Sequence, residues 1–230
     1  MAQKINPTSF RLGTTQVWDS TLQNYGKPLN VYSTILHKQL QIQKLLPRYF
    51  LLNDFLLNYQ EWKIRQNKVL LSIYYSPLTY SQKVQSPKFL KFLPKLLKKS
   101  ILIEPTIRFY LKLQWSLTPN LIIWYSWHLL DKKTAPKKVI LNLCKLLKSY
   151  LNFTRVSYFK LGLIETKLIG FKIKLSGKID SSNQMAKSLE QTLGRLSLTS
   201  LSGIVEYSNK EIYTKSGTCG VQVWLFYSIK

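Results

Sequence analysis

Apolar and polar positions alternate with a period that changes along the chain, and the changes mark its elements. Residues 30–46 carry Ile35, Leu36, Leu40, Ile42, Leu45 and Leu46 with Lys and Gln between them, which predicts an imperfect amphipathic helix stopped at Pro47. A short apolar stretch follows from Tyr49 to Tyr59. Trp62–Tyr75 reads as a hairpin, with Ile64 and Val69-Leu70-Leu71-Ile73 flanking Gln66-Asn67-Lys68. Ser76–Pro87 is a polar loop with two prolines. Beyond it, Lys88, Lys91, Lys95 and Lys98 recur at helical spacing beside Leu90, Leu93 and Leu97, and Pro94 is expected to kink or split that helix. Ile101–Leu117 alternates as one long strand, with Pro105 at an edge or bend.

Thr118-Pro119 then offers a cap followed by proline at the first helical position, and the helix is expected to run to about Asp131. After a break at Thr134-Ala135-Pro136, a second helix reaches about Leu151 with Ile140, Leu143 and Leu147 on one face. From Phe153 the period becomes that of strands: Val156–Ile164, Phe171–Leu175, Ile204–Tyr207 and Val221–Tyr227. Met1–Gly26 reads as an extended arm. The element order predicts an α+β chain of two α/β domains meeting near Leu117.

Charge narrows the function. Lys and Arg number 34 against ten Asp and Glu, giving a formal charge of +24 and a pI near 10.0. No acidic residue lies between Glu61 and Glu104 to offset the lysine-rich stretch. A folded chain repelling itself this strongly calls for a polyanion, either nucleic acid or acidic lipid. The longest apolar run, Leu121–Leu130, is broken by Ser126 and His128 and falls well short of the ~20 residues of a spanning helix. No membrane span is expected.

The remaining chemistry is sparse. Cys144 and Cys219 are the only cysteines, and neither belongs to a Cys-x-x-Cys or Cys/His pair, so no zinc site or disulfide framework is expected. His37 and His128 each sit in apolar-polar alternation and read as structural. Between Gly26 and Gly162 there is no glycine at all, and no phosphate-cradling glycine motif occurs elsewhere. No catalytic residue, metal or cofactor is therefore assigned. Trp115, Trp124 and Trp127 are expected in the core; exposed rings in so basic a chain would stack on unpaired bases. Arginine occurs only six times, while Leu, Ile, Lys, Asn, Tyr and Phe abound, the usage an A+T-rich coding strand yields.

The two ends carry a resemblance. Met1-Ala2-Gln3-Lys4-Ile5-Asn6-Pro7, then Arg11-Leu12-Gly13 and Val17-Trp18-Asp19-Ser20, resemble the opening of the small-subunit ribosomal protein three (S-three) family, with Ala2 where the family has Gly. Ser176-Gly177-Lys178, Ala186-Lys187, Gly194-Arg195, and Tyr207, Glu211, Thr214, Gly217, Gly220, Val221, Val223 and Trp224 resemble its C-terminal part at matching spacing. The resemblance implies an N-terminal arm (1–29), a type II KH-like domain (30–117) and a C-terminal α/β domain (118–230). A KH domain grips nucleic-acid backbone through a Gly-x-x-Gly loop; the corresponding slot, about Leu78 to Ser86, has no glycine. The KH-like domain is thus expected to lack that grip, with the Lys88–Lys98 stripe as a looser electrostatic substitute.

The family also presents basic residues beside the entrance of the messenger RNA channel. Asp131-Lys132-Lys133 and Lys137-Lys138 resemble that segment; Lys137 and Lys138 fill two of its three channel-facing positions, and Leu141 stands at the third. The RNA-binding residues the reading nominates are Lys4, Arg11, Lys88, Lys91, Lys95, Lys98, Lys132, Lys133, Lys137, Lys138, Lys178, Lys187 and Arg195. The implied partners are small-subunit ribosomal RNA, messenger RNA, and the head proteins ten and fourteen. The motif starts at Met1, leaving no room for a transit peptide. With the A+T bias and the missing loop glycines, this implies an organelle-encoded protein of the mitochondrial ribosome, in the matrix. The rival from another class is an organelle-encoded maturase or homing endonuclease, which would need acidic residues to hold its metal.

Overall fold

The computed structural model of the chain describes residues 5–16, 18, 26, 29–64, 69–77, 93–94, 105–111, 118–132, 134–159, 162–178, 185–214 and 217–229. They fall into two compact units, one of residues 19–115 and one in which residues 1–18 join 116–230.

The first unit builds on helix α2 (Leu29–Leu52), whose Ile42, Leu46 and Phe50, four residues apart, form a buried stripe. The helix does not stop at Pro47, as its sequence predicts, but runs through it. Leu46 and Phe50 on either side are fully buried, and their packing outweighs the roughly 3 kcal/mol a helical proline costs. The stretch Tyr49–Tyr59 divides accordingly between the end of α2 and strand β1 (Phe55–Ile64), with Asp54 at φ 61° turning the chain. Strand β1 pairs antiparallel with β2 (Val69–Pro77), and β2 pairs parallel with β3 (Pro105–Leu111), giving a sheet of order β1-β2-β3. Trp62, Leu71, Ile73 and Tyr75 face α2 across the core, and Leu93 joins them. Leu93 and Pro94 are helical; the lysines around them, and Gln66-Asn67-Lys68, where the hairpin is expected to turn, lie outside the described residues.

The second unit stacks α3 (Pro119–Asp131) and α4 (Pro136–Ser149) on a five-stranded sheet. Its strands are β4 (Thr154–Phe159), β5 (Gly162–Gly177), β6 (Lys187–Gly194), β7 (Gly203–Thr214) and β8 (Gly217–Ile229). The path is β4-β5-β8-β7, with β6 also paired to β5, and every pairing is antiparallel. The run Val156–Ile164, expected as one strand, is two: β4 and the start of β5. Phe171, Ile173 and Leu175 of β5 and Val221, Val223 and Leu225 of β8 point to one face and meet Ile122, Val139, Leu143 and Leu147 of the helices. Alternate residues, Lys172, Lys174, Gln222 and Trp224, point to the other.

The N-terminal segment is not an extended arm where it is described. Asn6 caps α1 (Pro7–Arg11) by accepting from the Thr8 amide, with proline at the first turn.

Candidate nucleic-acid interface

The cations of the second unit divide by what they face. Arg11 is fully buried. Its Nε donates to the Gly203 carbonyl at 3.2 Å, Nη1 to Pro7 at 3.2 Å, and Nη2 to Leu198 at 3.0 Å and Ser200 at 2.6 Å, with Ser197 at 3.5 Å. Burial lowers its pKa, yet a guanidinium stays charged at any physiological pH. The nomination of Arg11 as an RNA contact is therefore corrected: its donors are spent on backbone carbonyls, and it fastens α1 to the loop before β7. Gln16 adds a bond to the Val205 carbonyl at 2.8 Å.

Arg155 is half-buried and also engaged within the protein. It pairs with Glu206, and its guanidinium lies 4.1 Å from the Tyr227 ring centroid. Burial alone would pull its pKa down, but Glu206 and Tyr227 reverse this and hold it raised. Burial, reinforced by Glu206, pushes the Tyr227 hydroxyl well above its ordinary range.

Outward-facing cations gather on α4 and the link before it. Lys132, Lys137, Lys138, Lys145 and Lys148 are all exposed, and Leu141 among them is 50% exposed. Helical spacing sets 137/138, 141, 145 and 148 along one side, opposite Val139, Ile140, Leu143 and Leu147 in the core. No acidic residue occurs from Lys132 to Ile164, in a stretch holding eight Lys and Arg. The first turn of α4 has no acid, and no side chain caps it at Ala135. Lys137 and Lys138 thus add charge to the positive end of the helix dipole, an arrangement that repels itself in isolation and is relieved by an anion. Thr134 holds the link in shape by donating its amide and hydroxyl to the Leu129 carbonyl.

Lys178 and Lys187 sit together at one end of the sheet, since Gly177 pairs with Lys187, and Arg195 is exposed at the opposite end of β6. The structure does not bring these three to the α4 surface by any shared element. Lys4, Lys88, Lys91, Lys95, Lys98 and Lys133 lie outside the described residues. Sequence reasoning passed over Lys145 and Lys148, although their spacing from Lys138 and Leu141 was visible. It also passed over Lys172 and Lys174, which ion-pair with Glu190 at 2.6 and 2.7 Å. Those two contacts lower the Glu190 pKa from 4.5 to about 2.

Trp124 and Trp127 are half-buried rather than core; they meet edge to face at 5.8 Å, and the Lys210 ammonium sits over the Trp124 ring. Trp115 lies outside the described residues. His37 is exposed with Gln41 at 2.8 Å, and Cys144 and Cys219 are free and buried. Among the described residues no group of three His, Cys, Asp or Glu could hold a metal ion, and no helix is long and apolar enough to cross a membrane.

Comparison with known proteins identifies the family. The family model described as "Ribosomal protein S3, C-terminal domain" matches residues 143–225. Small ribosomal subunit protein uS3m of Chondrus crispus is 55% identical over 230 residues, covering 100% of this chain and 95% of the relative. Small ribosomal subunit protein uS3c of Epifagus virginiana is 26% identical over 98% of both chains. Small ribosomal subunit protein uS3 of Carsonella ruddii (strain PV) is 25% identical over 98% of this chain and 97% of its own.

Proposed function

The chain belongs to the uS3 family of small-ribosomal-subunit proteins, and from that premise we propose that it is a structural constituent of the mitochondrial small ribosomal subunit, held there by ribosomal RNA. The observation that carries the reading is the end-to-end likeness to a mitochondrial relative. The acid-free surface of α4 supplies the matching chemistry, since Lys side chains that neutralise phosphates release counterions and bind in a salt-dependent way. The role is architectural, with no catalytic step, and the maturase or endonuclease reading is set aside with the family assignment.

Within the subunit the protein occupies the head beside the entrance of the messenger RNA channel, with Lys137 and Lys138 toward the messenger and head proteins ten and fourteen as neighbours. Their place on an uncapped, acid-free helix start supports this reading. The first unit acts as a degenerate KH-like domain: one helix, an antiparallel strand pair and a third strand parallel to β2 support this reading of residues 30–117, and the sequence has no glycine from Leu78 to Ser86 for a Gly-x-x-Gly loop.

Gradient fractionation of organelle lysate tests the assignment. The chain is expected to comigrate with the small subunit and to leave it only at high salt; migration as free protein would refute it. Lys137→Glu with Lys138→Glu is expected to impair translation initiation more than subunit assembly. Equal loss of both would remove the messenger assignment while leaving the ribosomal one.

A further inference from the structure

The α2-free face of the three-stranded sheet carries a feature the ribosomal reading does not use. The register sets Tyr59 of β1, Tyr74 of β2 and Tyr110 of β3 side by side. Tyr74 and Tyr110 stack with ring centroids 5.0 Å apart and planes 19° from parallel. Tyr59 continues the row at 6.2 Å and 36°. The end members stay in water, Tyr59 46% and Tyr110 40% exposed. In the next row, Glu61 is engaged by Lys63 at 3.1 Å, Ser72 is buried, and Arg108 stands exposed two residues from Tyr110 on the same strand.

We propose that this tyrosine row is a stacking platform for unpaired bases of single-stranded RNA, with Arg108 engaging an adjoining phosphate. Rings that face one another across strands leave the outer face of the last ring as the place where a stack can grow. Both β1 and β3 end the sheet among the described residues, and of the two end rings Tyr110 is the one stacked nearly parallel on its neighbour, so its outer face continues the stack. A flat base continues the row without requiring any particular sequence, since every base has a π face. A planar guanidinium on the same strand suits the phosphate that accompanies it. Charge favours RNA over a protein partner: residues 19–115 hold 15 Lys and Arg against four Asp and Glu, and the nearest acid on this face is already paired. The grip also needs no glycine, and this unit has none after Gly26. The proposal rests on the RNA-bound reading above and adds the ligand's form, unpaired bases in place of duplex backbone.

The test uses the full-length protein and an adenine-rich single-stranded RNA oligonucleotide carrying one 2-aminopurine, beside an oligonucleotide of the same length with abasic positions. Binding of the first is expected to quench the 2-aminopurine emission. Tyr110→Leu is expected to weaken that binding about tenfold and remove the quenching, while Tyr110→Phe keeps both. The abasic oligonucleotide should bind wild type and Tyr110→Leu alike. Arg108→Gln should weaken both oligonucleotides and leave quenching at saturation intact. Unchanged affinity and quenching in Tyr110→Leu would overturn the platform, and so would an equal loss on both oligonucleotides. A face that receives protein instead would give no quenching even in wild type, which also overturns it. Failure of the ribosomal reading shows separately, as wild-type protein that does not comigrate with the subunit.

Discussion

A guanidinium with no surface in water has to satisfy its donors inside the protein, and Arg11 does so on carbonyls from α1 and the loop before β7. Arg11→Ala would leave those acceptors buried and unpaired, each worth about 1–3 kcal/mol. It is expected to destabilise the protein by about 3 kcal/mol, read as a lower denaturant midpoint. Arg11→Lys should recover little of this, because an ammonium cannot reproduce the planar fork. The resemblance includes Arg11 among its motif residues, yet nothing in its neighbours tells a buried arginine from an RNA-facing one. That distinction depends on residues 186–192 positions away. Glu190 gives a second residue-scale expectation. Hydrogen bonds from Lys172 and Lys174 depress its folded pKa to about 2 from 4.5. A depressed carboxylate contributes stability that is present above the unfolded value and lost as pH falls through the folded one. Its exposure keeps that contribution small, so the sensitive measurement is an NMR titration of the carboxylate. The midpoint should lie near 2 in wild type and move back toward 4.5 in Lys172→Met with Lys174→Met.

Elements whose faces meet one core were readable, and those stabilised from elsewhere were not. The helix α3 begins at Pro119 as its sequence predicts and α4 at Pro136, the last residue of the expected break, because proline at the first turn and apolar spacing are local signals; the Thr118 side chain makes no capping hydrogen bond. The buried parts of β5, β7 and β8 were visible through their period of two. Strand β6 was missed: Lys187–Gly194 is exposed or half-exposed throughout and owes its conformation to pairing with β5. Its far end shows what that pairing demands. Gly194 sits at φ 77° opposite Gly170, and a Cβ on either would strike backbone, at the Ile169 carbonyl for Gly194 and at Arg195 for Gly170. The glycine at 194, which belongs to the resemblance, thus has a steric reason. Gly194→Ala is expected to cost at least about 2 kcal/mol, with hydrogen exchange accelerating first along β6. Uniform acceleration across the second unit would show that the strand is not separable from its sheet.

At the scale of the whole molecule, a formal charge of +24 identifies the class of partner but not the residues that meet it. Several of the 34 cations are already committed to partners within the chain: Arg11 to carbonyls in the interior, Arg155 to Glu206, and Lys172 and Lys174 to the exposed Glu190. Composition alone counts these equally with Lys137, Lys138, Lys145 and Lys148, which face water without a neighbouring acid on their helix. The two groups are separable by salt. Each phosphate contact contributes about 0.9 to the slope of log affinity against log salt on a B-form DNA duplex, and about 0.7 on single strands. Changing the four α4 lysines to Gln should flatten the slope for small-subunit RNA by roughly 0.7–0.9 for every contact removed. Replacing the half-buried pair, Arg155→Met with Glu206→Leu, should leave the slope unchanged, since the two charges are spent on each other and the exchange removes no phosphate contact. An unaltered slope in the α4 variant, with binding otherwise intact, would move the RNA surface off this helix and onto the cations the charge total cannot distinguish.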